Sequence, residues 1–81
     1  MIVRIRLFAA AKERAGTDTV DLTVPDSSRV RDLHAALLCR VPALNSLSGS
    51  LLWAVNNRYA GPDDTVSAGD SVACFPPVSG G

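Results

Sequence analysis

One histidine and two cysteines are the whole stock of imidazole and thiol metal ligands in these 81 residues. The cysteines, Cys39 and Cys74, lie far apart and outside any Cys-x-x-Cys spacing, so with His34 they assemble neither a zinc site nor a redox pair. Each sits in an apolar segment and is expected to be a small buried hydrophobe. A lone histidine also leaves a nucleophile–base–acid constellation incomplete, and helical phase assigns His34 to a solvated face. The glycines never fall as GxGxxG or GxxxxGK[ST], so there is no phosphate loop. The acidic pair Asp63-Asp64 lies in a Gly-Pro turn and reads as solvated. Excess charge is missing too: eight acids balance eight bases, and the arginines are scattered singly. That excludes the basic footprint of a nucleic-acid or membrane-surface binder. No apolar run approaches the roughly 18 residues of a membrane span, and no secretory signal precedes the first strand pattern. The expectation is a cytoplasmic protein, non-catalytic alone, with no metal, no nucleic acid and no membrane among its partners.

Patterning is what remains. Residues 2–8 alternate, with Val3, Ile5 and Leu7 on one side and Arg4, Arg6 and Phe8 on the other, as a half-buried strand does. Residues 9–15 are strong helix formers stopped by Gly16, and predict one or two helical turns within a connection. Residues 17–24 alternate again, with Val20, Leu22 and Val24 inward, and predict an antiparallel partner for the first strand. Val30, Leu33, Leu37, Leu38 and Val41 recur at helical spacing, with Ser27 or Ser28 expected as the N-terminal cap. Arg29 is set aside as the cap of a box with Asp32, because an arginine side chain cannot fill that role.

Pro42 ends the helix, and residues 45–50 read as a polar loop. Residues 51–55 predict a strand with Trp53 in or near the core, Asn56-Asn57-Arg58 a turn, and Tyr59-Ala60 a brief edge strand. Val66 is a lone apolar plug. Residues 71–75 predict a last strand with Val72 and Cys74 on one face and Ala73 and Phe75 on the other. A long crossover lets the last strand join the first in parallel. One helix across one mixed sheet of four to five strands meets the two-layer rule for a small α+β domain over residues 1–75.

Residues 76–81 read as an extended tail. Pro76 and Pro77 supply no backbone N–H, so sheet pairing stops at Phe75, and they favour an extended path away from the body. At roughly 3.3 Å per residue the tail spans up to about 20 Å. Val78 and Ser79 give way to Gly80 and Gly81, a tip without side chains. Such an arm suits delivery of the Gly81 carboxylate into a narrow site on another protein, where adenylation makes it an electrophile and a sulfur nucleophile converts it to a thiocarboxylate.

The runs Val3-Arg4-Ile5-Arg6-Leu7-Phe8-Ala9, Ala54-Val55-Asn56 and Val66-Ser67-Ala68-Gly69-Asp70 lead up to the most specific one, Phe75-Pro76-Pro77-Val78-Ser79-Gly80-Gly81. Together they resemble the ubiquitin-like β-grasp sulfur carriers, and in particular the MoaD family of small molybdopterin synthase subunits. The resemblance covers nearly the whole chain. It implies that an adenylating enzyme of the MoeB type, using Mg-ATP, activates Gly81, which then becomes a thiocarboxylate. It further implies insertion into a large, MoaE-type subunit, in a heterotetramer of two small and two large chains. There the sulfur passes to cyclic pyranopterin monophosphate in molybdenum cofactor biosynthesis. The carrier itself holds no cofactor.

Pairing of the first and last strands would bring Phe8 and Phe75 together as a partner patch, with Arg4, Arg6 and Arg58 as its rim. Two further readings share the Gly-Gly end. One is a carrier for another pathway, such as the thiamine-type carriers, against which Pro76-Pro77 argues. The other is a ubiquitin-like modifier joined to lysines through Gly81, or a passive adaptor.

Overall fold

The first alternation becomes β1 (Ile2–Leu7), with Val3, Ile5 and Leu7 buried and Arg4 and Arg6 exposed. The computed structural model describes residues 1–77. A two-turn helix, α1 (Ala9–Ala15), buries Ala11 and stops at Gly16, whose φ of 73° is left-handed backbone that glycine adopts without steric cost. The chain returns as β2 (Thr19–Thr23), antiparallel to β1, with Arg4 opposite Asp21 and Arg6 opposite Thr19.

The main helix, α2 (Val30–Arg40), turns Val30, Leu33 and Leu37 into the core. Fully burying such a side chain contributes about 1.5–3 kcal/mol, well above the few tenths that separate most helix propensities. Packing therefore holds α2 in place. Its start corrects the expected serine cap. Ser28 is buried and its hydroxyl turns back to donate to the Pro25 carbonyl at 2.6 Å, while Ser27 takes a positive φ of 62°. The cap position falls to Arg29, whose N–H donates to the Asp32 carboxylate at 2.9 Å. This is half of a capping box. The guanidinium has no acceptor for the reciprocal bond, and the Asp32 N–H bonds the Arg29 carbonyl instead. The next two N–H groups, of Val30 and Arg31, donate to the carbonyls of Asp64 and Pro62.

A 3₁₀ helix over Pro42–Leu47 replaces much of the expected polar loop, and Leu44 within it is fully buried. Three strands follow: β3 (Leu52–Val55), β4 (Arg58–Ala60) and β5 (Val72–Phe75). The sheet order is β2-β1-β5-β3-β4. The last strand is therefore the central one. It runs parallel to β1, with Ile5 opposite Val72 and Leu7 opposite Cys74, and antiparallel to β3, with Leu52 opposite Phe75. Asn56 and Asn57 both take positive φ, 52° and 67°, which sets a tight two-residue hairpin between β3 and β4. The core lies between α2 and one face of this five-stranded sheet, with Val66 plugging it as expected.

Two further expectations are corrected. Cys39 is exposed on α2, and Cys74 alone is buried. His34 is half-buried rather than solvated, and its Nδ1 accepts a hydrogen bond from Trp53 Nε1 at 3.1 Å. Trp53 is buried in the core, and an indole N–H there needs an acceptor. No described helix is long and apolar enough to cross a membrane.

Candidate functional site

A strand sends alternate side chains to opposite faces, so each inward core residue implies an outward neighbour. In register, the outward set is Ile2, Arg4 and Arg6 on β1, Ala73 and Phe75 on β5, Leu52 and Ala54 on β3, and Tyr59 on β4. This face is open to solvent: Ile2 is 68% exposed, Leu52 39% and Tyr59 79%. Large apolar groups gathered on an open face mark an association surface better than single exposed residues do.

Phe75 is the last residue of β5, and its ring packs on Tyr59 with centroids 5.9 Å apart and planes tilted by 57°. Phe8 follows Leu7 at the same end of the sheet, since Leu7 stands opposite Cys74. It is 40% exposed, and the Arg6 guanidinium lies over its ring, 5.2 Å from the centroid. The two phenylalanines thus share one end of the sheet, but Phe75 packs on Tyr59 and Phe8 lies under Arg6.

The three arginines expected at the rim differ. Arg4 binds Asp21 through Nε at 2.9 Å and Nη2 at 3.3 Å. That hydrogen bond holds the Asp21 carboxyl below its ordinary range and raises Arg4. Arg6 stands over Phe8. Arg58 faces Val55 across the hairpin, one residue out of phase with Tyr59, and so lies on the opposite face of the sheet.

Pairing of β5 stops at Phe75, and Pro76 (half-buried) and Pro77 (exposed) follow. Val78, Ser79, Gly80 and Gly81 lie outside the described residues. The start of β5, at the end of the strand away from the tail, is tied down by side chains. Asn56 donates from Nδ2 to Asp70 at 3.1 Å and accepts the Ser71 N–H at 2.9 Å, tying the β3–β4 hairpin to the start of β5. The Ser67 N–H, then the Asn56 side chain, hold the Asp70 carboxyl below its ordinary range.

Leu52 and Tyr59 are the large neighbours of Phe75 on this face that sequence reasoning missed. The signal lay in the Asn56-Asn57 pair, because a two-residue hairpin sets Val55 opposite Arg58 and so places Tyr59 outward beside Ala54.

The thiols differ in reactivity. Burial pushes Cys74 up to about 12, whereas Cys39 is exposed. A thiol reagent at pH 8 is expected to label Cys39 promptly in the folded protein and Cys74 only on unfolding, as peptide mass mapping reads directly. Prompt labelling of Cys74 would contradict its burial. The folded value lies above the ordinary 9.0, so the unfolded chain releases this proton first. Stability is therefore expected to fall as pH rises from about 9 towards 12.

A mixed five-stranded sheet crossed by one helix, with its last strand at the centre, defines a ubiquitin-like β-grasp protein. The chain belongs to the ThiS family, whose pattern it matches over residues 5–81. It is 34% identical over 83 residues to the molybdopterin synthase sulfur carrier subunit of Chlamydomonas reinhardtii, covering 100% of both chains. It is 37% identical over 82 residues to the Escherichia coli (strain K12) protein of the same name, covering 99% of this chain and 100% of that one. The crystal structure of SAMP1 from Haloferax volcanii superposes with a TM-score of 0.87 at 34% identity, covering 100% of each chain.

Proposed function

We propose that this chain is the sulfur-carrier subunit of a molybdopterin synthase and that it acts in the cytoplasm. The observation that carries the reading is the placement of β5. The central strand is held on both sides, by β1 and β3, and hands the chain to Pro76-Pro77 on the way to Gly81. Relatives named as sulfur carrier subunits match the chain from end to end, which supports the same use of the same terminus.

The Gly81 carboxylate is a poor electrophile because its charge is delocalised and its oxygen leaves badly. In a MoeB-type enzyme, attack of the carboxylate on Mg-bound ATP expels pyrophosphate and leaves a mixed anhydride with AMP. A sulfur nucleophile displaces AMP and leaves a thiocarboxylate. In the MoaE-type large subunit that sulfur forms a bond to an electrophilic carbon of cyclic pyranopterin monophosphate. Water then cleaves the resulting thioester at the Gly81 C–S bond, which leaves the sulfur on the pterin and returns Gly81 as a carboxylate. Gly80 and Gly81 bring no side chain into the channel, and Val78, Ser79, Pro77 and Pro76 form the arm that positions them. Phe8 and Phe75, joined by Leu52 and Tyr59, form the face on which the large subunit docks in a heterotetramer of two small and two large chains. The carrier binds no cofactor, and Mg-ATP belongs to the activating enzyme.

The test is incubation with the activating enzyme, Mg-ATP and a sulfur source, followed by intact-mass spectrometry. Replacement of one terminal oxygen by sulfur is expected, and no gain in mass would contradict the reading. The likeness to SAMP1, named as small archaeal modifier protein 1, favours a second use of the same activated end, acyl transfer to a lysine amine. A Gly81-dependent isopeptide ladder in cells would identify that use.

A further inference from the structure

We propose that Arg6 is a recognition residue for a carboxylate on the protein surface that covers the outer sheet face. The proposal rests on the sulfur-carrier reading and specifies the chemistry of the large subunit where the two proteins meet.

Two arginines of β1 point to this face, and the sheet register treats them differently. Arg4 stands opposite Asp21, which neutralises it through two hydrogen bonds. Arg6 stands opposite Thr19 on β2 and Ala73 on β5, neither of which carries a charge. Among the described residues Arg6 forms no ion pair, and its guanidinium lies over the Phe8 ring instead. The ring restrains the side chain without satisfying its N–H groups. The outer face therefore presents one unneutralised cation beside its apolar groups, at the end of the sheet from which the tail departs.

A partner that buries Phe8, Phe75 and Tyr59 also takes water away from Arg6. Desolvating a cation without supplying an anion is costly, so the covering surface must bring one. A carboxylate is the anion that a protein surface supplies, and its two oxygens match the guanidinium fork. The zero net charge of the chain gives a nucleic-acid phosphate no comparable attraction.

The experiment compares binding of the large subunit to the parent, Arg6→Glu, Arg6→Gln and the double variant Arg4→Gln, Asp21→Asn, at low and high salt. Arg6→Glu is expected to weaken binding by at least about tenfold at low ionic strength, chiefly through slower association, with the difference shrinking as salt rises. Arg6→Gln is expected to show a smaller loss of the same kind, and it carries the test if the charge reversal disturbs folding. Removing the self-neutralised Arg4–Asp21 pair is expected to change affinity by less than about twofold. Binding by the Arg6 variants within about twofold of the parent, or an equal loss at every salt concentration, would overturn the role of Arg6 and leave the carrier reading standing. Failure of the parent itself to bind the large subunit would remove both.

Discussion

Adding one residue after Gly81, or deleting Gly81, is expected to abolish sulfur transfer while leaving the melting temperature unchanged. The fold is indifferent because the sheet ladder ends at Phe75 and the buried cluster runs from Val3 to Cys74. The chemistry is not indifferent. One extra residue displaces the terminal carbon by about 3.3–3.6 Å, and a misplacement of about 1 Å at a reacting centre can already cost about a hundredfold. The extension also replaces the reacting carboxylate at Gly81 with an amide. Adenylation and sulfur transfer should both fall below detection in the extended chain, whereas circular dichroism and thermal unfolding should match the parent. Full sulfur transfer by an extended chain would contradict terminal chemistry outright.

Replacing Phe75 by aspartate is expected to weaken binding to the large subunit by about a hundredfold or more, the scale of an interface hot spot. Its cost to stability is expected to be smaller, about 2 kcal/mol, from the lost aromatic pair together with the apolar area of a half-buried ring. The difference arises from where the ring sits. Val72 and Cys74 on β5 carry the core contacts, while Phe75 is half-buried on the other face against Tyr59. A carboxylate there stays hydrated in the free protein and loses its water without a partner in the complex. Tyr59→Ala should act in the same direction with an even smaller change in stability, because Tyr59 is 79% exposed. Calorimetric titration against the large subunit, alongside thermal unfolding of each variant, measures the two effects separately. Unchanged affinity in Phe75→Asp would remove this end of the sheet from the docking surface.

The elements that were legible in the sequence are those in which local pattern and tertiary environment agree. Val3, Ile5 and Leu7 against Arg4 and Arg6 describe a half-buried strand in any context, and β1 is one. Gly16, Pro42 and the Asn56-Asn57 pair are local instructions that no distant contact overrides. The parallel pairing of β5 with β1 followed from the crossover that separates them. What escaped the sequence depends on residues distant along the chain. His34 looked solvated by helical phase because the group that donates to it, the Trp53 indole N–H, lies 19 residues away. Ser28 looked like a cap, but the Asp64 and Pro62 carbonyls take up the first α2 N–H groups, and Ser28 is left to close its own turn. Leu44 escaped because it sits between Pro42 and the polar residues 45–50, and two short 3₁₀ turns carrying Leu44 and Leu47 are too brief to make a periodic pattern.

The proposed docking face was half legible for a related reason. Phe8 and Phe75 stood out as aromatics out of phase with the core, whereas Tyr59 and Leu52 join them only through the register of β3 with β4 and β5. The same register takes Arg58 off this face and divides the charge of Arg4 from that of Arg6.

The central claim is that Gly81 carries sulfur in the cell, and the most direct measurement is the intact mass of the protein purified from its native source without a reducing or alkylating step. A fraction of molecules is expected in which one oxygen of the Gly81 carboxylate is replaced by sulfur, with fragmentation placing the change on the last residue. A homogeneous unmodified carboxylate, in cells that are actively making molybdenum cofactor, would contradict the claim.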